Sequence, residues 1–336
     1  MKLRYEITPQ MKDYDSVGES FRPYLMRFDN ANKSFGAVST NCKGFRNSVD
    51  RNGGTIDHLK AFSDKANPFC IMLGSSAVFG VGATSDATSM PSFMNTLRHD
   101  ETWLNFGGRA YNSTQELLLL TLHLKAKPKH IVVFSGVNNL TLAYLAEKTS
   151  SIYNSFFGES AFREAMNSSS SNRIGLRKSI SNLFNEVLSK FGLGEKSVPI
   201  RSNKNIEDDY QDILTCFERD LFCAKAIADG HGSTLSFFMQ PLATWLEKKL
   251  SSEEEQLFDY LDELNPSFRV LSEFLGSWKD KYFNDMENIC TKLGVPFFNL
   301  NVSEFESPDW LFVDRVHLTD VGYELAANLI HKQMES

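Results

Sequence analysis

The chain has 336 residues, 42% hydrophobic and 23% charged, with 27 Phe among them. That composition excludes a disordered polymer, and the length is enough to bury a core without disulfide or metal staples. With 42 acidic against 35 basic residues, the formal net charge of -7 gives no electrostatic footprint for a nucleic-acid partner. Five dispersed cysteines (Cys42, Cys70, Cys216, Cys223, Cys290) form no CxxC and no Cys/His set at zinc spacing, so reduced thiols and no metal are expected. The opening MKLRYEITPQMKDYD lacks the apolar run of a secretory signal. No stretch reaches the roughly 18 apolar residues of a membrane span. A cytoplasmic location with no transmembrane segment is the expectation. At about 150 residues per domain the length leaves one or two domains open.

In chain order, residues 1–65 are mixed and Gly/Asn-rich at Asn52-Gly53-Gly54, and read as an N-terminal extension packed on the domain that follows. Apolar runs at Phe69 to Leu73 and Thr102 to Phe106 read as buried strands. Ser113 to Ala126 is an amphipathic helix, with Ser113 as N-cap and Glu116 completing a capping box. His130 to Ser135 is a third strand. Residues 141–205 break the alternation; a structureless loop of that length is improbable, so a partly helical insertion carrying Ser168-Ser169-Ser170-Ser171-Asn172 is expected. Helices follow from about Ile206 to Asp229 and from Phe268 to Leu293, with strands at Thr234 to Met239 and Pro296 to Leu300 between and after them. The last helix, Asp320 to Met334, sets Leu325 and Leu329 at i, i+4 and takes Thr319 as its N-cap. Strand and helix alternation of this kind predicts an α/β fold in three layers, αβα, around a parallel sheet of about five strands.

In such a sheet ligands bind beyond the carboxyl ends of the strands. After the first strand stands Gly74-Ser75-Ser76-Ala77-Val78-Phe79-Gly80-Val81-Gly82. It lacks the lysine of a phosphate-binding loop, and its later glycines lack the spacing of a dinucleotide fingerprint. A nucleophile turn with Ser76 as the attacking hydroxyl remains, against a plain Gly/Ser turn. The second strand ends in Asn105-Phe106-Gly107-Gly108-Arg109-Ala110, where a glycine admits close approach to a backbone N–H or simply makes a turn. The third ends in Ser135-Gly136-Val137-Asn138-Asn139, whose Asn138 side chain is a donor for the crevice or a loop cap. Just before the last helix, Asp314-Arg315-Val316-His317 spaces a carboxylate so that it can fix an imidazole tautomer. Each block is weak alone; the four in this order are not.

These blocks resemble those of the SGNH hydrolase superfamily, the GDSL esterases and lipases. Its Ser in GxSxxxG, its NxGxx[GA], its GxN and its DxxH are matched by Gly74 to Gly80, Asn105 to Ala110, Gly136 to Asn138 and Asp314 to His317. Ser75 replaces the usual Asp before the nucleophile, and Asn139 the Asp that often follows the block Asn. The resemblance covers residues 69 to 330 and implies a flavodoxin-like sheet within a catalytic domain at 66–336. It implies Ser76 as nucleophile, His317 as base and Asp314 as its orienting carboxylate. It also implies an oxyanion hole of the Ser76 and Gly107 backbone N–H groups and the Asn138 amide, with no cofactor. Arg109 and Tyr111, just beyond the block Gly, are candidate substrate contacts. Gly44-Phe45-Arg46 resembles a segment upstream of the catalytic domain in some bacterial relatives with cell-surface glycan roles. The expected activity is hydrolysis of a small acyl ester, such as O-acetyl, on a carbohydrate, glycan precursor or polar metabolite. An O-acyltransferase using the same acyl-enzyme, or a non-catalytic binding protein that keeps the fold, are the rivals. The oligomeric state is not legible.

Overall fold

Parallel strands covered on both faces must be apolar along their whole length, and this sequence has five such runs. The computed structural model describes residues 2–63, 68–123, 127–146, 149–160, 162–163 and 206–335. Helices α1 (Lys2–Ile7) and α2 (Met11–Val17) precede an antiparallel ribbon, β1 (Glu19–Ser20) with β2 (Phe28–Asp29), and then α3 (His58–Ser63). Strand β3 (Phe69–Gly74) leads through the single turn α4 (Ser76–Phe79) and through α5 (Met90–Leu97) to β4 (Thr102–Gly107). After α6 (Ser113–His123) come β5 (His130–Ser135) and α7 (Val137–Leu145). Beyond residue 205 come α8 (Ile206–His231), β6 (Thr234–Met239), α9 (Ser252–Leu264) and α10 (Ser267–Ser277). It ends with α11 (Lys279–Lys292), β7 (Phe297–Asn299) and α12 (Asp320–Glu335).

The sheet is five-stranded, in the order β4-β3-β5-β6-β7, with every pairing parallel. Alternation along each strand divides its side chains between two helical layers. Phe69, Ile71 and Leu73 of β3, with Ile131 and Val133 of β5, pack among Leu119, Leu140 and Phe217 of α6, α7 and α8. Cys70, Met72, Val132 and Phe134 face the opposite way, onto Met94, Leu257 and Tyr323 of α5, α9 and α12. This is the expected three-layer αβα fold. The strand order reverses at β3, so the chain leaving β3 for α4 emerges at the switch point where such sheets bind ligands.

Three local differences from the sequence reading have physical reasons. The capping box of α6 lies one residue earlier: Asn112 Oδ1 accepts from Gln115 N (3.0 Å) and Gln115 Oε1 from Asn112 N (3.4 Å). Two overlapping polar frames compete here, and Ser113 and Glu116 have other duties: Ser113 Oγ donates to Asp220 (2.8 Å), while Glu116 accepts from Ser135 Oγ (2.6 Å). The single helix expected from Phe268 to Leu293 is two, α10 and α11, parted at Trp278, whose ring packs on Tyr210 (4.6 Å between centroids) and Phe274 (5.6 Å). The break lets α10 lie over a cavity while α11 turns Tyr282 and Met286 into the core. Of the insertion at 141–205, residues 164–205, with the serine run, fall outside the described residues. Thr319 does cap α12, its Oγ1 accepting from Gly322 N (3.2 Å).

The N-terminal segment is tied to the turn after β3. Tyr14 donates its hydroxyl to Gly80 O (2.7 Å) and Ala83 O (2.8 Å). Arg46, wholly buried, donates to Phe79 O (2.9 Å), Gly80 O (2.7 Å), Ala37 O (2.8 Å), Ser85 O (2.8 Å) and Asp86 (2.9 Å), and to the Tyr14 hydroxyl (2.8 Å). A guanidinium has five N–H groups, and here every nitrogen is engaged. It thus satisfies the carbonyls that a one-turn helix leaves open at its C-terminus.

Candidate active site

Ser76 is the first residue of α4, with Ser75 as N-cap. Its N–H lies among the unpaired donors of a helix start, where a developing negative charge is favoured. Close packing dictates the turn: a Cβ on Gly74 would stand 2.2 Å from Phe134 O and 2.5 Å from a Val78 methyl. Gly80 ends the turn in the left-handed region at φ +86.

His317 Nε2 lies 2.8 Å from Ser76 Oγ, and its Nδ1 lies 2.8 and 3.0 Å from the two oxygens of Asp314. An ionised carboxylate only accepts, so the proton sits on Nδ1 and Nε2 is left as the acceptor facing the serine. Asp314 Oδ1 also accepts from the backbone N–H of Val316 and His317, both at 2.8 Å. Burial opposes its charge, but the imidazole and these two donors outweigh burial and hold the carboxyl at about 2. The loop is braced from α9: Glu254, wholly buried, accepts from Leu311 N (2.9 Å) and Phe312 N (3.0 Å) and pairs with Lys248 (3.0 Å). The same carboxylate accepts from Ser251 N (2.8 Å), so one capping box fixes both helix and loop.

Gly107 has a different task from the one expected. Its N–H donates to Asn105 Oδ1 (2.9 Å), and a Cβ there would lie 2.1 Å from Phe79 N, so it is the glycine on which α4 rests. Asn105, buried, completes that contact by donating to Val78 O (2.8 Å). The cavity-lining donor of this block is Ala110, at φ +58, whose N–H makes no hydrogen bond among the described residues. The signal for it was in the sequence: the resembled block closes on a Gly-or-Ala position, where a small side chain lets a ligand approach the backbone closely. Asn138, in the first turn of α7, also lines the cavity; its Nδ2 gives one proton to Tyr111 O (2.7 Å) and has a second to give. Asn139 does not reach the cavity and instead accepts from Ser113 N (3.0 Å), joining α7 to α6.

The cavity over Ser76 and His317 has a volume of about 170 Å³. One wall is apolar, with Leu242, Phe268, Leu271, Leu275 and Val316; the other carries Arg4, Asp15, Glu19, Arg27 and Arg109 from the N-terminal segment and the β4–α6 loop. Arg109 lines it, but its donors go to Asp29 (2.5 Å), Tyr14 O (3.0 Å) and Gly18 O (3.0 Å). Tyr111 is wholly buried, gives its hydroxyl to Arg27 O (2.5 Å) and does not line the cavity, so it holds the wall rather than a substrate.

A set with metal-ligand chemistry does exist, at the opposite edge of the sheet, where Cys70, Glu101 and His130 bring ligand atoms within 4.8 Å of one another. Glu101 is already taken by Arg98 (2.6 Å) and Lys129 (2.5 Å). Two cations on the one carboxylate leave no negative charge to attract a third.

No protein-family model matches the sequence, and no curated protein matches it. Solved structures overlap it weakly. An extracellular lipase from Streptomyces rimosus is 10% identical, with 80% of this chain and 100% of the other covered at a TM-score of 0.44. A GDSL-like lipase from Bacteroides thetaiotaomicron is 13% identical, with 82% and 91% covered at 0.41. An acetyl xylan esterase is 12% identical, with 79% and 98% covered at 0.40. Overlap at this level says nothing about chemistry, which has to come from the site itself. In fold and in the order of its four blocks, the chain resembles the SGNH hydrolases.

Proposed function

We propose that the protein is a serine esterase that hydrolyses a small acyl ester of a carbohydrate or similar polar alcohol through an acyl-enzyme. The observation that carries this reading is the 2.8 Å approach of His317 Nε2 to Ser76 Oγ, with Nδ1 held by Asp314. Ser76 Oγ attacks the ester carbonyl carbon as its proton passes to His317 Nε2. The tetrahedral oxyanion is met by the N–H of Ser76, the N–H of Ala110 and the second Nδ2 proton of Asn138. The C–O bond to the alcohol breaks, and His317 returns the proton to the departing oxygen. Water, deprotonated by the same imidazole, then attacks the acyl carbon, releases the carboxylic acid and restores Ser76.

The test pairs a fluorophosphonate probe with p-nitrophenyl esters of increasing chain length. Labelling at Ser76 and hydrolysis favouring acetyl or butyryl, both abolished in Ser76→Ala, are expected. A wild-type protein that neither labels nor hydrolyses any ester overturns the reading.

A further inference from the structure

We propose that the cavity wall built by Glu19 and Arg27 is the subsite for the alcohol half of the substrate, and that it selects a polyhydroxylated alcohol. This rests on the esterase reading and goes beyond it by assigning the two halves of the ester to two walls. Arg27 is 4% exposed, and its Nε and Nη1 have no hydrogen-bond partner among the described residues. Its Nη2 is ion-paired with Glu19 Oε2, and that pair contact is the only one Glu19 Oε2 makes among the described residues. Both residues line the same cavity as Ser76 and His317. Buried charged groups with unspent hydrogen-bonding capacity are costly, and a ligand that satisfies them gains what they lack.

The charge pattern chooses the ligand. Arg4 pairs with Asp15 (2.7 Å), Arg109 with Asp29 (2.5 Å), Arg27 with Glu19, and Arg315 with Asp262 (2.6 Å). Each cation therefore has its own carboxylate, and no net positive charge is left to hold a carboxylate or phosphate. What remains is two donors without a hydrogen-bond partner among the described residues, Arg27 Nε and Nη1, beside a carboxylate oxygen, Glu19 Oε2, that meets only Arg27 Nη2 and keeps a lone pair to accept with. A hydroxyl both donates and accepts, so neighbouring hydroxyls on a polyol fit that mixture, whereas an alkyl alcohol would strand it. The wall is also held in place: Tyr111 Oη donates to Arg27 O (2.5 Å) and Gln115 Nε2 to Leu25 O (2.8 Å). The apolar lining of Leu242, Leu271 and Leu275 then takes the acyl group.

The experiment compares three acetate esters on the wild-type protein and on Arg27→Leu and Glu19→Gln: a methyl monoacetyl-hexoside, ethyl acetate and O-acetyl-lactate. The wild type is expected to prefer the hexoside. In both variants the ratio of kcat/KM for the hexoside to that for ethyl acetate falls by at least about tenfold, through KM. Thermal melts identify a variant that has not folded, and Glu19→Gln, which keeps shape and volume, then decides. A measurement without any variant is competitive inhibition of ethyl acetate hydrolysis by the unacetylated methyl hexoside. The proposal is overturned if the ratio moves less than about twofold in the folded variants, if the hexoside does not compete, or if O-acetyl-lactate is the preferred ester. Failure of the esterase reading looks different: no ester is turned over at all, and calorimetric binding of the methyl hexoside to wild type but not to Glu19→Gln still tests the subsite.

Discussion

The two edges of the sheet carry the same trio of chemistries, and only one edge is arranged to use it. At the carboxyl edge a hydroxyl, an imidazole and a carboxylate stand in line, Ser76, His317 and Asp314. At the amino edge a thiol, an imidazole and a carboxylate cluster, Cys70, His130 and Glu101. Burial pushes the Cys70 thiol well up, away from the thiolate that would react. His130 spends Nδ1 on Thr234 Oγ1 (2.6 Å). Glu101 is buried, yet hydrogen bonds from His130, Arg98 and Lys129 hold it far below the usual carboxylate range. The lesson is that residue types do not make a site. A free acceptor nitrogen facing a hydroxyl, unpaired N–H groups at a helix start and an adjoining cavity do, and among the described residues they come together where the strands end in turns.

The sharpest way to break the contrast is to remove the hydroxyl at one edge and the thiol at the other. Ser76→Ala is expected to lower kcat on p-nitrophenyl acetate by at least about 10³-fold and to abolish fluorophosphonate labelling. Cys70→Ser should leave both near wild type, since nothing at the amino edge meets the substrate. Loss of turnover in a folded Cys70→Ser protein would erase the distinction. Next, Asp314→Asn keeps the shape of the loop but no longer fixes the imidazole tautomer, and a fall on the order of 10³–10⁴ in kcat is expected, read in the same assay. Asn138→Ala removes one of the proposed oxyanion donors, and a loss of roughly 10²–10³ in kcat with KM little changed is expected.

The smallest expected effects are on stability, and here two glutamates of opposite behaviour sharpen the comparison. Burial pushes Glu116, wholly buried beside Ser135, up to about 8, against the lowering effect of the serine hydrogen bond. The folded chain therefore keeps that proton longer than the unfolded chain does. Its contribution is complete below about pH 4.5 and is lost as pH rises towards 8, with a slope of up to about 1.4 kcal/mol per pH unit. Glu101 has the reverse sign: its contribution is present above about pH 4.5 and is lost as pH falls below that. Urea titrations across this range should show Glu116→Gln flattening the alkaline arm of the stability curve and Glu101→Gln the acid arm. Identical arms in all three proteins would contradict both assignments.

What was legible in the sequence was what is locally encoded. The strands came within a residue or two of their observed bounds, because buried parallel strands are unbroken apolar runs, and Asp314 and His317 were readable because three residues of turn suffice to join them. The capping box was misplaced by one position, since Asn112/Gln115 and Ser113/Glu116 both satisfy the local pattern and only the tertiary partners of Ser113 and Glu116 decide between them. The role given to Gly107 failed for a related reason. Composition marks a glycine as permissive, but whether it yields to a ligand or to a neighbouring helix depends on α4 lying 2.1 Å from the site of its absent Cβ. The polar wall was not legible at all. Residues 4 to 29 carry no motif, and their charges acquire meaning only when Arg109, some eighty residues on, closes the cluster.

The arrangement of Arg46 has a practical corollary for anyone cutting this gene. All four sequence blocks lie after residue 68, so a clone beginning there would keep every one of them. It would also lack the guanidinium that closes the carbonyl end of the single turn carrying Ser76, and the Tyr14 hydroxyl beside it. A four-residue helix has almost no stability of its own. Boundaries drawn from the four blocks would therefore separate the turn that carries Ser76 from the buried arginine that closes it.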